Sequence, residues 1–290
     1  MIYFIRLICF FIFLGRGYQY LFWDAPFRSL LWDQNLLEPL VNFLGFSWSE
    51  YVTNLNIDYY IQLTIKLIGI SYFICAFFCL KITPKSKSWI KNFIFFGSLN
   101  LVILALLLTK EKFYHLTMFL EHSIQFGVPI LFVIILKKKK LNNFVLISKI
   151  IIALCFICHG IYALGILYPT PANYVTMVIN ILNVKELMAL NLLKTAAILD
   201  FAGAILLFIP KTNRYGLIYL TIWGLITAFA RIINGFTYDI SFKIIHEHLF
   251  ETIYRLPHGL FPLTLLYFLP NSSISRFEDF SIKVPNNNPC

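Results

Sequence analysis

The stretch FVLISKIIIALCFICHGIYALGIL, residues 144–167, decides the fold. It contains one charged residue, Lys149, and no proline before Pro169. A bilayer core needs about 20 mostly apolar helical residues to cross it, and this run is long enough. In lipid the backbone groups must pair within their own segment, so the run is expected to be a transmembrane helix. Seven further stretches read the same way: 2–22, 58–80, 92–109, 116–136, 192–209, 215–237 and 250–269. The first begins at Met1 and has no small-residue cleavage site after its core, so it is expected to be retained as a span.

Composition agrees with eight spans. Hydrophobic residues make up 59% of the 290 positions and charged residues 13%, too little charge for a soluble domain of this size. Mean hydropathy is +0.75. The net charge of +10 does not point to nucleic acid, because the basic residues sit in short loops between apolar runs. One set of loops holds Lys81, Lys85, Lys87 and Lys91, then Lys137 to Lys140, then Lys211 and Arg214, with Arg276 and Lys283 in the tail. The alternate loops hold Arg28, Lys110, Lys112, Lys185 and Lys243, beside Asp24, Asp33, Glu38 and Glu50. The positive-inside rule then places both termini in the cytoplasm, in what we read as a bacterial inner membrane. Residues 23–46 and 168–190 are rich in Trp, Tyr and Pro and are expected to lie at the membrane interface. The polar tail, 271–290, is read as disordered and cytoplasmic, which discounts the sequon at Asn271-Ser272-Ser273.

The two halves of the chain correspond. At an offset of 143, span five repeats span one: Arg6 on Lys149, Phe13 on Phe156, Gly17 on Gly160, Leu21 on Leu164 and Pro26 on Pro169, with Arg16 opposite His159. At an offset of 128, Lys66 falls on Lys194, Phe73 on Phe201 and Ala76 on Ala204. At an offset of 130, Glu121 falls on Glu251 and Gln125 on Arg255. Spans three and seven give no convincing match. The expected architecture is all-α, with two parallel four-helix membrane units at 1–140 and 141–270.

A four-span unit with a basic residue entering its first helix, a Gly-centred turn there (His159-Gly160) and a Glu in its fourth helix resembles the DoxX-like superfamily. The resemblance covers most of the chain, twice over. It implies four-helix bundles and a membrane subunit of a redox system, with a quinone as the possible cofactor. Relatives in redox maturation and cargo reception imply a membrane or exported protein as a possible partner. It carries over no catalytic residue.

Charges inside a bilayer cost about 2.5–3.5 kcal/mol each on insertion scales, so each needs a partner or a purpose. Those inside the spans are Arg16, Lys66, Glu121, His122, Lys149, His159, Lys194, Asp200, Arg231, Glu251, Arg255 and His258. With Gln125, and leaving out His122 and Lys149, they form the candidate polar pocket, in the outer half of the bilayer. His248, Glu251, Arg255, His258 and Pro262 recur at helical spacing and are expected on one face. Glu251 can pair with Arg255, Lys194 or Arg231, and Glu121 with Arg16 or Lys66. Two readings compete: ion pairs that hold the helices together, or a pocket for a quinone head, a lipid head or a small anion. A solute or lipid carrier and a non-catalytic scaffold stand beside the redox subunit as functions.

Cys155-Phe156-Ile157-Cys158-His159 matches the haem-attachment pattern, but it lies mid-span, beyond an attachment enzyme's reach. A redox-active Cys155/Cys158 pair is disfavoured because thiols in lipid resist ionisation. His246, His248 and His115 make only a weak start on a metal site, and none is expected. Phosphate-binding loops and nucleophile elbows are absent, and the residues name no reaction.

Overall fold

The computed structural model describes residues 1–138, 143–236 and 242–269, with the backbone alone at Lys138. Lys139 and Lys140 lie outside the described residues, as does the tail with its sequon, Arg276, Lys283 and Cys290. The described residues are all-helical. The first half holds α1 (Ile2–Phe22), α2 (Arg28–Leu31), α3 (Gln34–Phe43), α4 (Trp48–Thr53), α5 (Leu55–Lys81), α6 (Ser88–Glu111), α7 (Leu116–Glu121) and α8 (Ser123–Lys138). The second holds α9 (Phe144–Leu164), α10 (Ala172–Leu182), α11 (Glu186–Leu206), α12 (Asn213–Gly235), α13 (Phe242–Arg255) and α14 (Pro257–Phe268).

Six of these helices, α1, α5, α6, α9, α11 and α12, are long and apolar enough to cross a membrane. The protein is therefore an integral membrane protein. The other two expected spans are broken. Span four divides into α7 and α8 at His122, and span eight into α13 and α14 at Leu256. Prolines explain only the second break. Pro257 opens α14, where its missing N–H costs nothing, whereas Pro129 and Pro262 sit inside continuous helix. At the first break, side chains take up the freed backbone. The His122 Nδ1 lies 2.8 Å from the Met118 carbonyl, and the Cys155 thiol donates to the Glu121 carbonyl at 3.1 Å.

Packing follows the same plan in both halves. α1 lies along α5 and α9 along α11, while α6 packs on α7 and α8 and α12 on α13 and α14. The halves interlock through the broken helices: α13 packs on α1, and α7 packs on α9. Lipid gives helices no hydrophobic drive to associate, so close backbone approach matters. A Cβ on Gly17 would stand 3.1 Å from both the Gly69 carbonyl and the Phe73 ring; one on Gly160 would stand 3.2 Å from the Ala197 carbonyl and 2.9 Å from the Phe201 ring. These are the pairs that the offsets of 143 and 128 bring into register.

The segment between α1 and α5 is tied down by charge. The Arg28 guanidinium meets Asp58 at 2.6 Å and Asp24 at 2.8 Å, and Lys110 pairs with Asp33, the N-cap of α3. The Lys110 bond, helped by the Leu36 amide, holds the Asp33 carboxyl below its ordinary 3.8. A lowered carboxylate stabilises fully above its unfolded pKa and loses that stabilisation as pH falls through the lowered value. The protection of the α3 amides, taken relative to the intrinsic exchange rate at each pH, is therefore expected to stay level from about pH 8 to pH 5 and to fall below about pH 4. Asp33→Asn should remove that pH dependence and leave exchange faster at pH 7.

Candidate functional site

The two breaks meet. Glu121 ends α7, Arg255 ends α13, and the Arg255 Nη2 lies 3.6 Å from the Glu121 Oε1. The breaks are 134 residues apart, so they set Glu121 opposite Arg255, one turn from the offset of 130 that the letters gave. Glu121 is 4% exposed and is shared further. The His159 Nδ1 lies 3.3 Å from the Glu121 Oε1, and the Tyr174 hydroxyl donates to it at 3.4 Å. These bonds replace the pairings expected of Glu121 with Arg16 or Lys66, and of Glu251 with Arg255. Among the described residues, Glu251 stands in no ion pair within 4.0 Å, because the break at Leu256 turns Arg255 toward α7.

Arg16 forms a second cluster beside the first. Its Nε and Nη2 donate to the Gln125 Oε1 at 2.9 and 2.5 Å, its Nη1 donates to the Gln19 Oε1 at 2.6 Å, and the guanidinium lies 3.8 Å over the Tyr254 ring. It is 2% exposed and well partnered, the mark of an interhelical lock.

A cavity of 360 Å³ opens on the other side of the Glu121–Arg255 pair. That volume lies at the lower end for small-molecule sites. Its polar residues are His159, Tyr174, Asp200, Thr227, Arg231, Arg255 and His258. The rest of the wall is apolar and comes largely from α10, α11 and α12. At Leu182, Ile226 and Ile233 this wall is about half exposed (54%, 52% and 47%). The cavity therefore has a charged end inside the bundle and an apolar end at the lipid-facing surface.

Of the sequence candidates, His159, Asp200, Arg231, Arg255 and His258 line this cavity, and Glu121 stands behind it. Arg16 and Gln125 belong to the neighbouring lock. Lys66 and Lys194 are exposed on α5 and α11 and are not part of the pocket, nor does Glu251 line it. Their stems suit lipid contact with the ammonium drawn to the interface. Sequence reading missed Tyr174, which was placed in an interfacial segment, and Tyr219, which donates to the Asp200 Oδ1 at 2.9 Å.

The polar end is incompletely partnered. Arg231 is 8% exposed, stands in no ion pair among the described residues, and has an Nε without a partner. The Arg255 Nε and the His258 Nε2 are buried and equally unpartnered. The His258 Nδ1 lies 2.9 Å from the Arg255 carbonyl. That bond assigns the proton to Nδ1, so the Nε2 of the neutral ring is an acceptor.

The offsets of 143 and 128 set two cavity residues against two aromatic residues of the first half. Tyr20 stands 143 residues before Ala163, and Tyr72 stands 128 residues before Asp200. The two tyrosine rings are fully buried and meet edge to face, with centroids 5.2 Å apart. Ala163 and Asp200 both line the cavity. Where the first half places two packed rings, the second half places Ala163 and Asp200 on the cavity wall.

Other chemistry fits less well. The ligand atoms of Cys155, His159 and His258 lie within 4.8 Å of one another, a donor set known from zinc centres. Two guanidiniums border that set, which suits an anion better than a second cation. Cys155 and Cys158 are buried free thiols. His246, Tyr18 and Trp23 pack together, while His115 stacks on Tyr168, so these histidines do not assemble into a site. No family model, curated protein or solved structure matches the chain, so the site is read from its own geometry.

Proposed function

We propose that the protein holds the polar head of a lipid-soluble molecule in the cavity of its second half and admits that molecule sideways from the bilayer. The observation that carries this reading is Arg231, a buried guanidinium with no ion-pair partner among the described residues, at the closed end of a cavity whose apolar end faces lipid. A buried unpaired charge is too costly to be kept for packing alone.

In this reading the chain crosses an inner membrane eight times as two parallel DoxX-like units, with α7–α8 and α13–α14 as composite spans and both termini cytoplasmic. The glycine contacts that recur at offsets of 143 and 128, the two breaks and the reciprocal packing of α13 on α1 and α7 on α9 support it. The cavity then lies in the outer half of the bilayer. A quinone is the second reading. His159 and His258, with ring centroids 5.6 Å apart, could accept the protons of a quinol in a redox-linked membrane subunit.

Ala163→Tyr tests the proposal by restoring the ring that the first half carries. Native mass spectrometry of the full chain, released from its own membrane, should show a bound small molecule. The variant should lose most of it while melting within a few degrees of the parent. Equal occupancy in both proteins would remove the cavity from the account.

A further inference from the structure

The chemistry of the head can be narrowed, on the footing that the cavity holds a ligand. The charged end offers two kinds of group. Arg231 and Arg255 are donors only, and both keep an unpartnered Nε. Arg255 is already neutralised in part by Glu121, at 3.6 Å, whereas Arg231 has no carboxylate within ion-pair distance among the described residues. The α11 wall bears Asp200, but its Oδ1 accepts from Tyr219 and it reaches neither guanidinium. Glu251 acts on Arg231 only from beyond 4.0 Å, so an anionic ligand would supply the contact that the guanidinium lacks among the described residues.

Beside these donors stands an acceptor. The His258 Nε2 is buried without a partner while its Nδ1 bonds to the Arg255 carbonyl. The His159 Nδ1 is likewise occupied, by Glu121 and Tyr174. An acceptor next to a guanidinium matches a head that carries both charged oxygens and a hydroxyl. A carboxylate has no proton to give. A neutral alcohol or quinol has no charge for Arg231. A phosphate monoester supplies charge in either ionised form, and its monoanion keeps a P–OH; with a second ionisation near pH 6 that monoanion is the minor form at neutral pH, and the unpartnered His258 Nε2 selects it in the site.

We infer that the ligand is a phosphate monoester on an apolar tail. Its anionic oxygens rest on Arg231 and Arg255, its P–OH donates to the His258 Nε2, and its chain runs past Met177, Ile181 and Ile226 toward the lipid. Arginine suits this role because its fork meets two phosphate oxygens at once.

The test keeps the tail constant and varies the head. The full chain in phosphatidylcholine nanodiscs is titrated with hexadecyl phosphate, hexadecanoate, hexadecanol or a ubiquinol, and bound ligand is read by native mass spectrometry. Hexadecyl phosphate should bind at least about 10-fold tighter than each of the others, as expected for charge-assisted bonds in a dry site. Arg231→Gln should weaken it about 10- to 100-fold and leave hexadecanol nearly unchanged. Lys66→Gln should change neither. Hexadecanol, ubiquinol or hexadecanoate binding as tightly as the phosphate would overturn the inference while leaving the pocket in place. Should Arg231→Gln fail to fold, the head-group ranking of the parent protein decides the matter alone. If none of the four ligands binds and Ala163→Tyr changes nothing, the pocket reading itself fails.

Discussion

Glu121→Leu is expected to destabilise the protein by about 3–5 kcal/mol, the cost of stranding one partner of a buried ion pair. The carboxylate is 4% exposed and serves Arg255, His159 and Tyr174 together, so its loss leaves three groups short of a partner at the junction of the two broken helices. Thermal unfolding in detergent, followed by tryptophan fluorescence, would register this as a large fall in Tm. Glu121→Gln keeps the shape and part of the hydrogen bonding, and should cost about 1.5–3 kcal/mol. The double variant Glu121→Leu/Arg255→Met should recover most of the single-variant loss, since an apolar pair of similar volume often replaces a buried ion pair at little cost. A Glu121→Leu protein that melts with the parent would mean that the breaks are held by something else.

Gly224→Ala should have the second largest effect. A Cβ there would stand 2.6 Å from the carbonyl carbon and oxygen of His258 and 2.7 Å from the Gly259 nitrogen. These atoms are backbone at the start of α14, so the helix itself must move. The cost should approach about 3 kcal/mol, the upper end for overpacking. Because His258 moves too, ligand retention should fall along with stability. Gly127→Ala is the comparison. The three atoms nearest its Cβ all belong to the Ile151 side chain, the closest at 3.1 Å, and that side chain can yield. That change should lie within about 1 kcal/mol of the parent, helped by the better helix propensity of alanine.

The helices were legible because apolar runs of bilayer length have few alternatives. The first break was not. His122 carries no proline signal, and the break there depends on Cys155 of α9 reaching the Glu121 carbonyl and on Ser123 reaching the Ile151 carbonyl, contacts that no local pattern contains. Reading His248 through His258 as one continuous face failed for a different reason, since Pro257 already marked the second break in the sequence. Lys66 and Lys194 looked internal because they interrupt apolar runs, yet their place on the helix was readable. On α5 the buried positions are Ile61, Ile65, Gly69, Tyr72, Cys75, Ala76 and Cys79, a stripe that excludes Lys66. On α11 the stripe of Ala189, Leu193, Ala196, Ala197 and Asp200 includes the aspartate and excludes Lys194. The contrast of Tyr20 and Tyr72 with Ala163 and Asp200 was also present in the letters, at the offsets already found. It acquires meaning only once the rings are seen to touch.

A direct image of the parent protein in lipid nanodiscs by electron cryomicroscopy tests the central claim, that the second half holds a ligand where the first half places two packed rings. The account expects elongated density in the second half, ending between Arg231, Arg255 and His258 and leaving past Ile226, with the Tyr20–Tyr72 stack closed in the first half. A second half packed shut, with Arg231 paired to protein, would contradict it.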